Sequence, residues 1–71
     1  MEIFYTLHAE DQIRERKIEK IWIEETIKFP DITRRKENKY YVIKRLNGKV
    51  LKVVYAKERY IKVITSYYIV K

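Results

Sequence analysis

The sequence predicts an α+β fold, in which two N-terminal helices pack on an antiparallel sheet of three to four strands. Between residues 9 and 29 the apolar side chains recur at helical spacing. After Pro30, runs of β-branched and aromatic residues are separated by short polar turns. The chain has 71 residues, which is room for one hydrophobic core. We therefore expect residues 1–71 to form a single domain.

A short apolar segment, residues 3–5, is expected to be a first strand or an extended lead-in to the first helix. Thr6 has a side chain suited to the N-cap position of that helix. Glu10 and Asp11 place carboxylates in the first turn, where the helix dipole favours negative charge. The helical pattern is established from about Ala9.

A second helix is predicted from Ile18 to Phe29, where the apolar residues again follow helical spacing. Pro30 ends it, because the residue before a proline disfavours helical backbone angles. We expect a break near Lys17, so that two short helices form rather than one long helix.

The second half of the chain predicts an antiparallel meander. Asn47-Gly48 is a strong signal for a two-residue hairpin turn, and residues 56–59 form a second polar turn. The predicted strands are residues 31–35 at a sheet edge, 40–46, 49–55 and 60–68.

The two-residue turn also indicates which strand residues share a face, because directly opposed residues project to the same side. One face carries Tyr41, Ile43, Arg45, Val50, Lys52 and Val54, joined by Ile61, Val63, Thr65 and Tyr67 if the second loop keeps even spacing. The other face carries Val42, Lys44, Leu46, Leu51, Val53, Tyr55, Tyr60, Lys62 and Ile64. Alternation does not say which face packs on the helices, and a one-residue bulge would exchange part of the assignment.

Charge is distributed unevenly along the chain. Residues 1–32 carry five Lys or Arg against eight Asp or Glu, whereas residues 33–71 carry twelve against two. This asymmetry indicates one basic side that binds an acidic partner. The alternative is a solvated, lysine-rich surface, because 38% charged residues and the absence of Cys resemble a thermophile composition.

The composition excludes several familiar kinds of site. The chain has no Cys, one His and one Gly, so it lacks the ligands of a structural zinc site and the glycines of a phosphate-binding loop. We expect no cofactor and no metal. The adjacent carboxylates Glu10-Asp11 and Glu24-Glu25 point to different sides of a helix, which is typical of a solvated surface rather than of an acid–base pair.

The sequence contains no apolar stretch of the roughly 20 residues that a membrane-spanning helix requires. Residues 1–5 lack the basic region that begins a signal peptide. Together with the absence of Cys, these features predict a cytoplasmic location.

The remaining candidate site combines basic and aromatic strand residues. Lys and Arg hold phosphate groups, and exposed aromatic rings stack on bases at roughly 1–3 kcal/mol each. Five strand tyrosines could stack, although each could equally be a half-buried sheet residue: Tyr40, Tyr41, Tyr60, Tyr67 and Tyr68. His8 is the only side chain whose usual pKa, about 6.5, suits proton transfer near neutrality, with a capping or packing role as its alternative.

A set of short motifs runs in order along nearly the whole chain. They are His8-Ala9, Glu15-Arg16, Ile18, Pro30-Asp31, Leu51 with Val53-Val54-Tyr55, and Val63-Ile64-Thr65. This ordered set resembles a family of small uncharacterised domains allied to the RelE, ParE and BrnT toxins of toxin–antitoxin systems. The sequence departs from the family pattern at Gln12, where members usually have Arg, and at Lys17, where they have Gly.

The resemblance implies a RelE-like fold and a toxin-like RNA-binding protein, a metal-independent endoribonuclease that uses the RNA 2′-hydroxyl. For that reaction our hypothesis assigns proton transfer to His8, phosphate binding to Arg16, Arg45 and Lys52, and positioning or proton donation to Thr65 and Tyr67. The residues expected to contact nucleic acid are Gln12, Arg14, Arg45, Lys52 and Lys62.

Because Gln12 replaces an Arg, either Arg14 compensates or the protein binds RNA without cleaving it. The alternative to a nuclease is therefore a non-catalytic module that binds RNA, or a protein target as ParE-type toxins do. The partners that the resemblance implies are RNA, free or on the ribosome, and a cognate acidic antitoxin, with a homodimer left open.

Overall fold

The computed structural model describes residues 2–69, which form five strands and two helices. In chain order they are β1 (Ile3–Tyr5), α1 (Leu7–Arg16), α2 (Lys20–Lys28), β2 (Ile32–Lys36), β3 (Lys39–Leu46), β4 (Lys49–Lys57) and β5 (Ile61–Ile69). The strands form one sheet in the order β1-β5-β4-β3-β2. Both helices pack on the same face of this sheet. The class is α+β, as the sequence predicts.

The helix boundaries have local causes. Thr6 is the N-cap of α1, and its hydroxyl oxygen accepts a hydrogen bond from the Ala9 N–H at 3.0 Å. Lys17 follows α1 in a left-handed conformation with φ of 55°. The next residue, Ile18, turns back to donate its N–H to the Ile13 carbonyl at 3.0 Å, which closes the helix end. The predicted cap and the predicted break near Lys17 are both confirmed.

The sheet is mixed rather than antiparallel. β1 pairs in parallel with β5, with Ile3 opposite Ile61 and Tyr5 opposite Val63, and the other three pairs of neighbours are antiparallel. The expected three to four antiparallel strands are thus corrected to five strands. A strand of three residues is too short to show an alternating pattern, and its partner lies at the other end of the sequence. Local pattern therefore carries no information about this pairing.

A β-bulge in β5 determines which residues share a face. Val54 lies opposite Thr65, but the next residue, Tyr55, lies opposite Val63. Ile64 is therefore an extra residue, and the alternation of β5 changes sides there.

This bulge alters the predicted assignment of β5. Thr65 and Tyr67 share a face with Lys52, as expected, but Ile61 and Val63 face the helices instead. Lys62 was expected on the same face as Leu51 and Val53, but it pairs with Ala56 and lies on the face away from the helices. This is the exchange of faces that a one-residue bulge was expected to cause, and the condition of even spacing is not met.

The hydrophobic core fills the space between the helices and one face of the sheet. Its buried residues are Ala9, Ile13, Ile18 and Ile23 from the helical half and Val42, Leu51, Val53, Tyr55, Ile61 and Val63 from the strands. Neither helix covers the opposite side of the sheet, which we call the open face. Four register rows cross it: Arg34–Tyr41–Val54–Thr65, Ile32–Ile43–Lys52–Tyr67, Arg45–Val50–Ile69 and Lys36–Lys39–Ala56–Lys62.

Neither helix within residues 2–69 is long and apolar enough to cross a membrane. The longer of the two, α1, has 10 residues, about half of what a span requires.

Candidate nucleic-acid interface

Helix α1 lies along the part of β5 that β1 leaves unpaired. Backbone groups on such an edge require other partners. The Thr6 hydroxyl donates to the Ile64 carbonyl at 3.3 Å. Further along, the Gln12 side-chain carbonyl accepts from the Ser66 N–H at 3.1 Å, and the Arg16 guanidinium donates to the Ser66 carbonyl at 3.3 Å. These contacts place Gln12 and Arg16 at the border of the open face.

Gln12 also connects α1 to a side chain of the open face. The Thr65 hydroxyl donates to the same Gln12 Oε1 atom at 2.5 Å. Since both of these bonds use the amide oxygen, the Gln12 Nε2 group is still available as a donor. An Arg at this position could not accept either hydrogen bond, so Gln12 has a structural role that depends on its amide oxygen.

Four side chains beside Gln12 alternate between cation and aromatic ring, and we call them the tyrosine–cation cluster: Arg16, Tyr67, Lys52 and Tyr41. The Tyr67 ring lies 5.9 Å from the Arg16 guanidinium and 5.9 Å from the Lys52 ammonium. Lys52 lies 5.8 Å from the Tyr41 ring on its other side. These separations are near the outer limit of a cation–π contact, so the cations are held loosely beside the rings. The cluster presents two positive charges and two aromatic rings to one ligand.

The strand positions of the open face carry six cations and no carboxylate within residues 2–69. The cations are Arg34, Lys36, Lys39, Arg45, Lys52 and Lys62. Two ion pairs within the same residues, Asp11 with Arg14 and Glu10 with Lys20, both lie in the helical half. The charge asymmetry of the sequence thus becomes an asymmetry between the two sides of the sheet.

The structure does not bring all the sequence-predicted residues of α1 together. His8 is exposed and lies one turn before Gln12, so His8, Gln12 and Arg16 form a single stripe at i, i+4 and i+8. Arg14 lies about 200° around the helix from Gln12 and pairs with Asp11 at 2.6 Å. Arg14 therefore points away from this stripe.

The predicted strand residues occupy different parts of the open face. Arg45 is exposed and lies diagonal to Lys52 across β3 and β4, with its backbone N–H bonded to an Asp31 carboxylate oxygen at 2.9 Å. Lys62 lies before the bulge, opposite Phe4 of β1, at the far end of β5 from Tyr67. The positions that meet are Gln12, Arg16, Lys52, Thr65 and Tyr67.

The tyrosines divide between the two faces. Tyr40 and Tyr55 stack on each other on the helix-facing side, with centroids 5.1 Å apart. Tyr5 lies there too, where burial, followed by the charges of Glu24 and Glu10, raises its pKa to about 12. These rings support the core, which leaves Tyr41 and Tyr67 as the open-face tyrosines of the cluster.

Sequence reasoning missed several cations of the open face, namely Arg34, Lys36 and Lys39, and the aromatic ring of Phe4. The signal for the three cations was available, because the turn after Lys36 pairs β2 with β3 and places Arg34 beside Tyr41. No local pattern predicts that Phe4 lies on the open face, since its position there depends on the parallel pairing of β1 with β5.

Within residues 2–69 no group of three or more His, Asp or Glu side chains could hold a metal ion. The side chains that meet at the open face are hydrogen-bonding groups, cations and aromatic rings. Such a set matches a phosphodiester with attached bases better than a neutral or positively charged ligand.

The fold and this basic, open-faced sheet define a small α+β domain with a surface suited to polyanions. The chain belongs to the family described as "Domain of unknown function (DUF4258)", which matches residues 5–68. No curated protein and no solved structure gives a significant match to the chain.

Proposed function

We propose that the protein binds single-stranded RNA on the open face, with the tyrosine–cation cluster at the centre of the interface. The observation that carries this proposal is the alternation of Arg16, Tyr67, Lys52 and Tyr41 on a face whose strand positions, within residues 2–69, carry cations and no carboxylate. The two cations bind successive phosphates, and the two rings stack on bases. The free Gln12 amide group adds a neutral donor to a phosphate oxygen or a 2′-hydroxyl.

Single-stranded RNA fits this surface better than a duplex does. Stacking on Tyr41 or Tyr67 requires an unpaired base, because the faces of bases within a duplex are already stacked. The sheet is also broad and carries its rings on strands, as in other sheet surfaces that bind unpaired RNA.

The central test compares two lysines of the same strand. Lys52 lies on the open face, and Lys57 is exposed at the end of β4 on the helix-facing side. We expect Lys52→Gln to weaken binding of a labelled single-stranded RNA by about tenfold, the effect of losing one charged contact of about 1.4 kcal/mol. Fluorescence anisotropy at low salt measures the affinity.

The Lys57→Gln variant is the matched control, because it removes the same charge from the same strand. It should bind as the unchanged protein does. Equal affinities for the Lys52→Gln and Lys57→Gln variants would show that binding depends on overall charge alone, and would overturn the proposed site.

RNA cleavage is a second candidate function, favoured by the stripe that puts His8 on the same side of α1 as Gln12 and Arg16. In this reaction His8 accepts the proton of a 2′-hydroxyl, and the 2′-oxygen forms a bond to the adjacent phosphorus. The bond to the 5′-oxygen breaks, and that oxygen takes a proton from Tyr67 or from water. Arg16 stabilises the additional negative charge of the phosphorane.

This candidate predicts fragments with 2′,3′-cyclic phosphate and 5′-hydroxyl ends, and their loss in a His8→Ala, Arg16→Ala double variant. Arg14→Ala is the matched control, since Arg14 belongs to α1 but points away from the stripe. Gel analysis of a labelled RNA and mass spectrometry of the ends measure the outcome. Undiminished cleavage by the double variant would overturn the assignment, while intact RNA with every protein would leave RNA binding as the function.

A further inference from the structure

A second aromatic and basic feature lies outside the tyrosine–cation cluster, at the β1 end of the open face. It is a groove of about 640 Å³ whose walls include Phe4, Arg59, Tyr60 and Lys62. Glu2 also lines it. The two cations exceed this one carboxylate, so the groove keeps the positive charge of the open face.

The two aromatic rings of the groove are exposed and held in a fixed arrangement. Phe4 and Tyr60 pack edge to face, with ring centroids 5.1 Å apart and an interplanar angle of 84°. Phe4 is 49% exposed and Tyr60 38% exposed. In an edge-to-face pair the ring that contributes its edge keeps both of its faces free to stack on a third ring.

Backbone hydrogen bonds fix the segment that carries Tyr60. The Glu58 N–H donates to the Tyr60 carbonyl at 3.0 Å, and the Ile61 N–H donates to the Glu2 carbonyl at 2.9 Å. The backbone that carries the ring therefore needs little further ordering when a ligand binds, which lowers the entropic cost of binding.

The groove is continuous with the proposed RNA interface. Lys62 lies opposite Phe4 on one side and opposite Ala56 on the other, so it projects from the open face between the groove and the rest of the sheet. Beyond the bulge, the next open-face residues of β5 are Thr65 and Tyr67. A single strand that passes along β5 from the cluster thus meets Thr65 and then the Lys62 ammonium before it reaches the groove.

We infer that the groove is a base-binding subsite, in which an unpaired base of the same RNA strand stacks on the Phe4–Tyr60 pair. Lys62 and Arg59 hold the phosphates on either side of that base. This inference rests on the proposed function, and it adds a specific position at which a second base is bound. The affinity should then depend on the length of the RNA. Only a strand that spans both the tyrosine–cation cluster and the groove can stack a base on the Phe4–Tyr60 pair as well.

The experiment measures the affinity of a ladder of oligouridylates of increasing length, labelled at the end, by fluorescence anisotropy. For the unchanged protein, affinity should rise in a distinct step once the strand reaches the groove. Tyr60→Leu should remove that step, with a loss of about fivefold or more for the long strands, the lower end of what one stacked base contributes. It should leave the affinity for the shortest strands unchanged.

Phe29→Leu is the matched control, since Phe29 is an exposed aromatic residue, 62% accessible, at the end of α2 and outside the groove. It should keep the length-dependent step. Long strands containing 4-thiouridine provide a second readout, because photo-crosslinks should map to Phe4 or Tyr60 in addition to the cluster.

The outcomes separate the inference from the proposed function. If Lys52→Gln weakens binding at every length but Tyr60→Leu has no effect at any length, the groove subsite is wrong and the interface remains. If Tyr60→Leu and Phe29→Leu weaken binding equally, the subsite is also wrong. If no oligouridylate binds the unchanged protein at low salt, the proposed function itself fails.

Discussion

At the scale of single residues, Lys17 lies at a position whose backbone conformation favours glycine. Its φ of 55° is left-handed, where a side chain costs roughly 1–2 kcal/mol. The helix end requires this conformation, since the chain must reverse before Ile18 can enter the core. Gly adopts this conformation without a steric penalty. Lys17 therefore reduces the stability of the present chain.

We predict that Lys17→Gly raises the free energy of unfolding by about 0.5–1 kcal/mol, because relief of the left-handed strain exceeds the extra chain entropy of glycine. Urea denaturation followed by circular dichroism measures the change. Lys17→Ala is the control, since it removes the charge but keeps the Cβ atom, and it should give no comparable gain. If Lys17→Ala raised the free energy of unfolding as much as Lys17→Gly does, the effect would come from the loss of charge and not from the backbone conformation.

At the scale of helices and strands, local signals located most boundaries, because their causes are local. Thr6 caps α1, Lys17 lies at the helix break, and Asn47-Gly48 closes the β3–β4 hairpin in the expected register. The pairing of Arg45 with Val50 followed from that turn alone. These features depend on a few neighbouring residues, so a pattern in the sequence predicts them.

Two features of the sheet that the sequence pattern did not predict, the bulge and the parallel pairing, depend on contacts between distant residues. The bulge at Ile64 lies within a run of β-branched residues that fits an uninterrupted strand. The parallel pairing of β1 depends on β5, some sixty positions away in sequence. The same limitation affects the candidate site: Thr65, Tyr67 and Lys52 were placed on one face correctly, but the role of Gln12 on the β5 edge requires α1 to lie there. Folding brings these groups together, and no short motif encodes that.

At the scale of the whole molecule, the sheet separates two different electrostatic environments. Within residues 2–69 the helical side contains the Asp11–Arg14 and Glu10–Lys20 ion pairs, whereas the open-face strand positions carry six cations without a carboxylate. Such a distribution attracts a polyanion to one side and gives it a preferred orientation before close contacts form. The formal charge of +7 does not show this separation, because it sums the charges of the helical side and of the open face.

We therefore predict that RNA binding depends steeply on salt and that the slope reports the residues in contact. If Arg16, Lys52, Arg59 and Lys62 each neutralise one phosphate, the logarithm of affinity should fall against the logarithm of salt concentration with a slope of about −3, since single strands contribute about −0.7 per phosphate. Lys52→Gln should make the slope shallower by about 0.7, while Lys57→Gln should leave it unchanged. Anisotropy titrations with a long oligouridylate at several salt concentrations measure these slopes. A slope near zero for the unchanged protein would contradict a phosphate-binding open face, and equal slopes for the two lysine variants would contradict the place assigned to Lys52.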